Sequence, residues 1–440
     1  MSSNDDAGTT APAAISGTAG PANPLLDPVP DDRPRVGARY IWFNVLAQFG
    51  VYLAFITPIS ISLAIRVDAV APGNEAVLGY LLGAGSIAAL ITAPVAGVLS
   101  DRTRSRFGRR RPWIVGLSVV GVIGLAIMVV ASTVFVLGVG WVVTQIGWGS
   151  ALANLQTSQA DRLPESQRGK VAGLSGFVSM AAPVIGSVIG GTVATDPLLL
   201  LMIPAVLAVL LIVPFVLLVR EEDSRGRGFD DTLTPAALLS KYVYNPRRHP
   251  DFSWNWAGRF LFYFGLTLNT AFTAFFYASR LDIPVTEIGG TVAIVGLLSV
   301  VATIAGAIGS GFLTDKLRRR KPFVLGAGVV FGIGALVMAF APSLPLLFTG
   351  SFICSLGIGV FSAVDQALLL DVLPERDTDA GRFVGINTFA QTVPQAVAPL
   401  IAPALLAIGG AGENYTVLYV VAALFTIAGG VVVLRIRSVR

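Results

Sequence analysis

Hydrophobic residues along this chain fall in long blocks separated by short polar loops. A helix needs about 20 apolar residues to cross a bilayer. Twelve blocks approach or exceed that length: Tyr40–Ile65, Val77–Leu99, Trp113–Ala131, Val134–Ala160, Lys170–Ala194, Leu198–Val219, Ser253–Ala278, Gly289–Leu313, Pro322–Phe340, Leu344–Leu370, Gly381–Ile408 and Val417–Leu434. Ser132–Thr133 and Ala341–Ser343 are so short that they predict tight helical hairpins. The pattern predicts an all-α polytopic membrane protein with twelve transmembrane helices. A charged loop at 220–252 divides it into six-helix bundles at 40–219 and 253–434, with polar tails at 1–39 and 435–440. The first tail is rich in Ala, Pro, Gly and Asp. It lacks the basic start and apolar core of a signal peptide and reads as disordered.

Charge then orients the helices. Of 31 Lys and Arg residues, all but three fall in the tails and loops of one side. Arg66 and Arg280 lie on the other side, and Arg259 lies inside a span. Basic loops stay in the cytoplasm, so both termini are expected there, in a plasma membrane. The halves also repeat. Arg66-Val-Asp parallels Arg280-Leu-Asp, Asp101 parallels Asp315, and Asp161-Arg-Leu-Pro-Glu parallels Asp371-Val-Leu-Pro-Glu. Gly169-Lys-Val-Ala-Gly parallels Gly381-Arg-Phe-Val-Gly at the starts of spans 5 and 11. Repeats of this kind are typical of secondary transporters, with the substrate site between the halves.

The densest motif is Gly97-x-x-x-Asp101-Arg102, followed by Gly108-Arg109-Arg110. On this motif the chain resembles the major facilitator superfamily from Tyr40 to Arg437. The long form, running to Pro112, is similar to that of the glycoside–pentoside–hexuronide and sucrose-transporter-like sugar:cation symporters. So is Leu-Leu-Asp371-Val-Leu-Pro374-Glu. The resemblance implies a sugar or glycoside substrate, symport with H+ or Na+, and two bundles that rock about a central site. It also places Asp101 beside the start of span 11 in a gate closed in the outward-facing state. There a carboxylate meets the free N–H groups of a helix end. Gly97 would permit the close approach, and Arg102 or Arg109 would complete an ion pair. Gly108, Arg110 and Asp315 belong to the same expected gate. Proton-coupled sucrose-type carriers have a carboxylate in span 4; here span 4 has none, which leaves the coupling ion open.

Charges inside spans are functional candidates by default. Asp365 precedes Asp371 by six residues, and Arg259 follows Ser253 by six, so both lie about 9 Å from the same end at ~1.5 Å per residue. They are expected to pair and to sense proton or substrate. Asn44, Gln48 and Tyr52 form one polar stripe at helical spacing, and Asn387, Gln391 and Gln395 form another. With Gln145, Trp148, Tyr263 and Asn269 they make the expected substrate-binding set. Amides bond in both directions and aromatic faces suit sugar C–H surfaces. The same amides also serve as glue between helices. Pro58, Pro94, Pro183, Pro394 and Pro399 predict kinks.

Composition closes off other classes. The chain is 54% hydrophobic and 13% charged, against about 25% charged in soluble domains. Its net charge of +5 sits in short loops, so topology explains it without nucleic acid. Lone Cys354 excludes an internal disulfide and reads as packing. Lone His249, in a polar loop, makes a His-based metal site improbable and reads as a solvated residue. No catalytic constellation, cofactor motif or metal cluster appears, so an enzyme is not expected. The expected partners are a small molecule, a cation and the bilayer, with the protein acting as a monomer. The competing function is a proton-coupled exporter of a drug-like molecule or metabolite, favoured by Gly169, Pro183 and Gly186 in span 5.

Overall fold

The computed structural model describes residues 34–226, 244–374, 380–409 and 413–439. Most of the 1–39 tail and the centre of the 220–252 loop therefore lie outside the described residues. Among the described residues, eleven helices are long and apolar enough to cross a membrane, and a bent pair, taken as one span, makes a twelfth. They are α1 Ala38–Val70, α2 Ala76–Asp101, α3 Arg111–Val129, α4 Val134–Arg162, α5 Glu165–Thr192 and α6 Pro197–Leu218. The bent pair is α7, made of Pro250–Ala271 and Thr273–Leu281 at 49°. Then come α8 Gly289–Leu317, α9 Lys321–Ala339, α10 Leu344–Val372, α11 Ala380–Leu406 and α12 Tyr415–Val433.

Local chemistry sets the helix ends. Asp196 accepts from the backbone N–H groups of Leu198 (2.8 Å) and Leu199 (3.1 Å), capping α6. Thr133 and Asn414 cap α4 and α12 in the same manner. These caps satisfy donors that the helix itself cannot. Pro112 and Pro322 stand in the first turns of α3 and α9, where a missing N–H costs nothing.

Two spans contain irregularities with visible causes and consequences. In α1, Pro58 opens a π-turn, Pro58–Ser62, because its ring cannot donate to the helix ladder. In α4, a π-turn at Gln145–Gly149 inserts without any proline. The extra residue turns Gln145 toward the space between the bundles and Trp148 toward α3. Pro94, Pro183, Pro394 and Pro399 lie inside helices that run on through them.

The arginine loops, 102–111 and 318–320, mark one end of the bundle, here called the basic end. At the far end, α2 packs on α11 and α5 on α8. A Cβ built on Gly79 would fall 2.4 Å from the Pro399 carbonyl oxygen, and one on Gly191 would fall 2.8 Å from the Gly289 Cα. Backbone therefore meets backbone across the two halves. Arg66 and Arg280, the two isolated far-end cations, are spent on structure. Arg66 donates to the Ala131 carbonyl at 2.7 Å and Arg280 to the Ala339 carbonyl at 2.6 Å. Each satisfies the end of a helix whose dipole is negative there.

Candidate functional site

A cavity of about 1080 Å³ lies between the two sets of six helices. Its wall runs from Gly97 and Gly385 near the basic end to Tyr277 and Val292 near the far end. Among the described residues, the lining contains no Asp, Glu, Lys, Arg or His side chain. Polar groups on it are amides and many hydroxyls, set among Phe55, Ile59, Leu82, Leu90 and Phe389. Among the described residues, no cluster of three or more His, Cys, Asp or Glu side chains is placed to hold a metal ion.

Of the expected substrate-binding set, Gln145, Asn269 and Gln395 line this cavity. Gln145 comes from the α4 π-turn, Asn269 from just before the α7 bend, and Gln395 from the middle of α11. The Asn269 amide nitrogen is buried without a protein partner. The other members are used elsewhere. Trp148 is fully buried, and its indole fills the groove left by Gly121 on α3, so it is a packing residue. Asn44 donates to the Leu155 carbonyl at 3.3 Å and accepts from Gln48 (2.6 Å) and Gln159 (2.8 Å). That stripe ties α1 to α4 inside the first half. Tyr52 joins it one turn on, accepting from Gln156 at 3.2 Å. Asn387 is 2% exposed with its side-chain oxygen unpartnered.

Arg259 and Asp365 meet in the second half, with Nη1 2.5 Å from Oδ2. Arg259 also reaches Gln391 at 3.5 Å and lies over the Tyr263 ring at 5.4 Å. This links α7, α10 and α11. Asp365 is almost wholly buried, and its second oxygen has no partner. The pair adjoins the cavity wall without being part of it. In the first half the neutral Asn44–Gln48–Gln159 network joins the corresponding helices.

The arginine-rich loop at the basic end is a closed electrostatic knot. Arg110 is 2% exposed. It binds Asp101, donates to Asp161 (3.2 Å), Ser100 (3.1 Å) and the Gly97 carbonyl (3.3 Å). Arg109 bridges Asp101 at 3.2 Å and Asp161 at 2.8 Å. The expected partner of Asp101 was Arg102 or Arg109; the buried Arg110 holds it as well, because it points back under α2. Arg102 itself ends α2, its N–H on the Val98 carbonyl. The second half repeats part of the knot, with Arg320 on Asp371 and on the Ala367 carbonyl. Asp315 is exposed and makes no ion pair among the described residues.

Sequence reasoning did not find Glu221. It accepts from the backbone N–H groups of Arg110 (3.0 Å) and Arg111 (3.1 Å), capping α3 from the loop after α6. Gly108 has φ +87°, and a Cβ there would meet Glu221 Oε2 at 2.2 Å. Only glycine fits that conformation and that space. A Cβ built on Gly97 meets none of the described atoms within 4 Å in this conformation, and the close approach expected there is one of the outward-facing state. Gly97 instead stands at the cavity mouth. His249, expected in solvent, sets its ring against Phe383 with centroids 5.2 Å apart.

A sequence profile of the Major Facilitator Superfamily matches residues 40–310 and 299–440. The galactose-proton symporter of Escherichia coli (strain K12) is 37% identical over 71 residues, 16% of this chain and 15% of that protein. Such matches span only a small part of the curated relatives. Among solved structures, nucleoside transporter NupG superposes with a TM-score of 0.72 at 11% identity, over 91% of this chain and 99% of that one. The D-xylose-proton symporter gives 0.67 at 15% identity, over 91% and 98%. At those identities the likeness carries the fold alone.

Proposed function

Because the chain belongs to the Major Facilitator Superfamily, it is a multi-pass membrane transporter and not an enzyme, and we propose that it carries a sugar or glycoside by alternating access, in symport with H+ or Na+. The observation that carries the reading is the cavity wall. Among the described residues it offers amides and hydroxyls without one Asp, Glu, Lys, Arg or His side chain. An ionic ligand would lose its hydration there with no counter-charge, whereas a neutral polyhydroxylated one exchanges hydrogen bonds. The sugar and polyol carriers among the partial relatives agree with this.

By the charge rule the basic end is cytoplasmic in a plasma membrane, and the cavity is then inward-open, sealed outside by Gly79–Pro399 and Gly191–Gly289. Rocking would close the basic end with the knotted Asp101 loop as its rim, bringing α2 toward α11 at Gly97. Arg259 and Asp365 are the proposed coupling pair. Protonation of Asp365 frees Arg259 for Gln391 on α11, and so ties proton occupancy to a helix of the cavity wall. Where Na+ is the coupling ion instead, the unpartnered Asp365 oxygen is its nearest anionic ligand.

The test is uptake into proteoliposomes of labelled mono- and disaccharides with an inward proton or sodium gradient. Gradient-stimulated accumulation of one sugar is expected. Proton-driven movement of amphipathic cations without any sugar uptake would replace this reading with the exporter.

A further inference from the structure

Most hydroxyls of the cavity wall share one hydrogen-bond geometry. Thr267, Thr270 and Thr273 on α7, Ser355 on α10, and Thr388 and Thr392 on α11 each donate to a backbone carbonyl of their own helix, at 2.7–3.2 Å. Thr303 on α8 donates across to the Ser355 carbonyl at 3.2 Å. A carbonyl has no proton to give, so in every case the hydroxyl hydrogen is committed to the backbone. What remains toward the cavity is oxygen lone pairs. These seven belong to the second half; in the first half only Thr157, on the Ala153 carbonyl at 2.8 Å, and Ser187, on the Pro183 carbonyl at 2.7 Å, do the same among the described lining residues.

The first half presents a different wall. Phe55, Ile56 and Ile59 on α1, Leu82 and Leu90 on α2, and Leu152 on α4 face the same space. Donors are few. In the first half they are the Gln145 amide and the Ser60 and Ser86 hydroxyls, and in the second the Asn269 and Gln395 amides and the Ser299 hydroxyl, while Tyr277 and Ser351 bond each other. Trp141 also lines the cavity, but its ring nitrogen is directed at Gly85, where a built Cβ would lie 2.3 Å from it.

We infer that the site selects for hydrogen-bond donors on one side of its ligand and for apolar surface on the other. The ligand it fits is a neutral molecule with several adjacent hydroxyls pointing at α7, α8, α10 and α11, and a flat apolar face or aglycone against α1 and α2. This rests on the sugar reading above and adds polarity and orientation to it. A hydroxyl whose donor is lost leaves a wall acceptor facing a group that cannot bond it, and buried polar groups left unmet are penalised.

The experiment uses the full-length protein in proteoliposomes. Once a transported sugar is found, its phenyl glycoside and the mono-deoxyfluoro analogues at each ring position compete against it. Fluorine is close to the hydroxyl in size, removes the donor and keeps only a weak acceptor, so the valine variants, which remove wall acceptors, supply the matching half of the test. At least two fluoro positions are expected to compete tenfold or more worse, and the phenyl glycoside better than the free sugar. The double variant Thr388→Val/Thr392→Val, which keeps shape and removes acceptors, is expected to weaken competition about tenfold, and Thr388→Ser/Thr392→Ser to restore it. Thermal unfolding in detergent checks that the valine variant is folded; a valine variant that does not fold is replaced by Thr267→Val/Thr270→Val. Fluoro analogues that all compete equally with the parent, or valine variants with unchanged competition, would overturn this inference while sugar transport stands. Absence of any sugar transport would overturn both.

Discussion

Adding one methyl group at Gly79 tests the seal between the halves. A Cβ there would lie 2.4 Å from the Pro399 carbonyl oxygen and 3.0 Å from both Phe272 Cζ and Pro403 Cγ. The first neighbour is backbone of α11, and the second sits at the α7 bend, so neither yields without moving a helix. Overpacking of this kind costs about 1–3 kcal/mol. The contact exists only between the halves, so the cost falls on the state with the far end closed. A shift of about 1–3 kcal/mol changes a two-state ratio by roughly 5- to 150-fold. The assay is double electron–electron resonance on a Cys354→Ser background, with labels at Asn74 and Ile408 for the far end and at Phe107 and Leu317 for the basic end. In Gly79→Ala the far-end distance is expected to lengthen and the basic-end distance to shorten. Gly97→Ala, whose methyl group meets open space here, is expected to leave the far-end distance as in the parent. Unchanged distances in Gly79→Ala, or equal changes in both variants, would refute the idea that this backbone contact sets the balance.

Removing Arg259 leaves a buried carboxylate unpaired and is expected to cost about 3–5 kcal/mol of stability in Arg259→Ala; a double-mutant cycle with Asp365→Ala should recover much of it in unfolding measurements. Asp365→Asn is expected to abolish gradient-driven accumulation while sparing sugar exchange, and accumulation equal to the parent would remove the pair from coupling. Glu75, at the far rim before α2, has its carboxyl pushed up to about 7, first by burial and then by Glu413 and Asp68. The closed far end therefore holds a proton that an exposed carboxylate at its ordinary 4.5 would not. That stabilisation is complete below about 4.5 and is lost as pH rises to about 7. The far-end distance should lengthen across this window in the parent and not in Glu75→Gln. Trp148→Ala is expected to lower stability by about 3–5 kcal/mol, whereas Gln145→Ala should weaken sugar competition with little change in unfolding temperature.

Most of the scaffold was legible because membrane helices announce themselves by length and charge. The Arg66 and Arg280 pair, six residues of depth for Asp365 and Arg259, and the short hairpins all follow from spacing along regular helices. What was hidden depended on rotation or on distant chain. Gln145 and Trp148 are three residues apart, and a π-turn without proline decides which of them faces the cavity. The α7 break at Phe272 likewise has no proline or glycine to mark it. Glu221 caps a helix that begins over a hundred residues earlier, and no local pattern records that. The hydroxyl wall was silent for a chemical reason. Most of its serines and threonines satisfy themselves on their own helix, so they carry no hydropathy signal of the kind that made the amide stripes conspicuous.

The two halves agree at their ends and differ in their middles, and that division has a physical logic. Arg66 and Arg280 hold equivalent helix ends, and Arg110 with Asp161 matches Arg320 with Asp371. These contacts lie within one half, so they keep each set of six helices rigid however the sets tilt. Nothing in rigid-body tilting requires the centres to match. There the first half joins α1 to α4 through neutral amides, while the second joins α7 to α10 through a buried ion pair. The first half lines the cavity mainly with apolar side chains, and the second carries most of its hydroxyls. A ligand bound across such a boundary has one face suited to each half. Its hydroxyls would load the charged half, next to Arg259 and Gln391, while its apolar face would slide against the other with little to break. In the proposed symport, one half would register occupancy and the other would offer a surface over which the movement costs little.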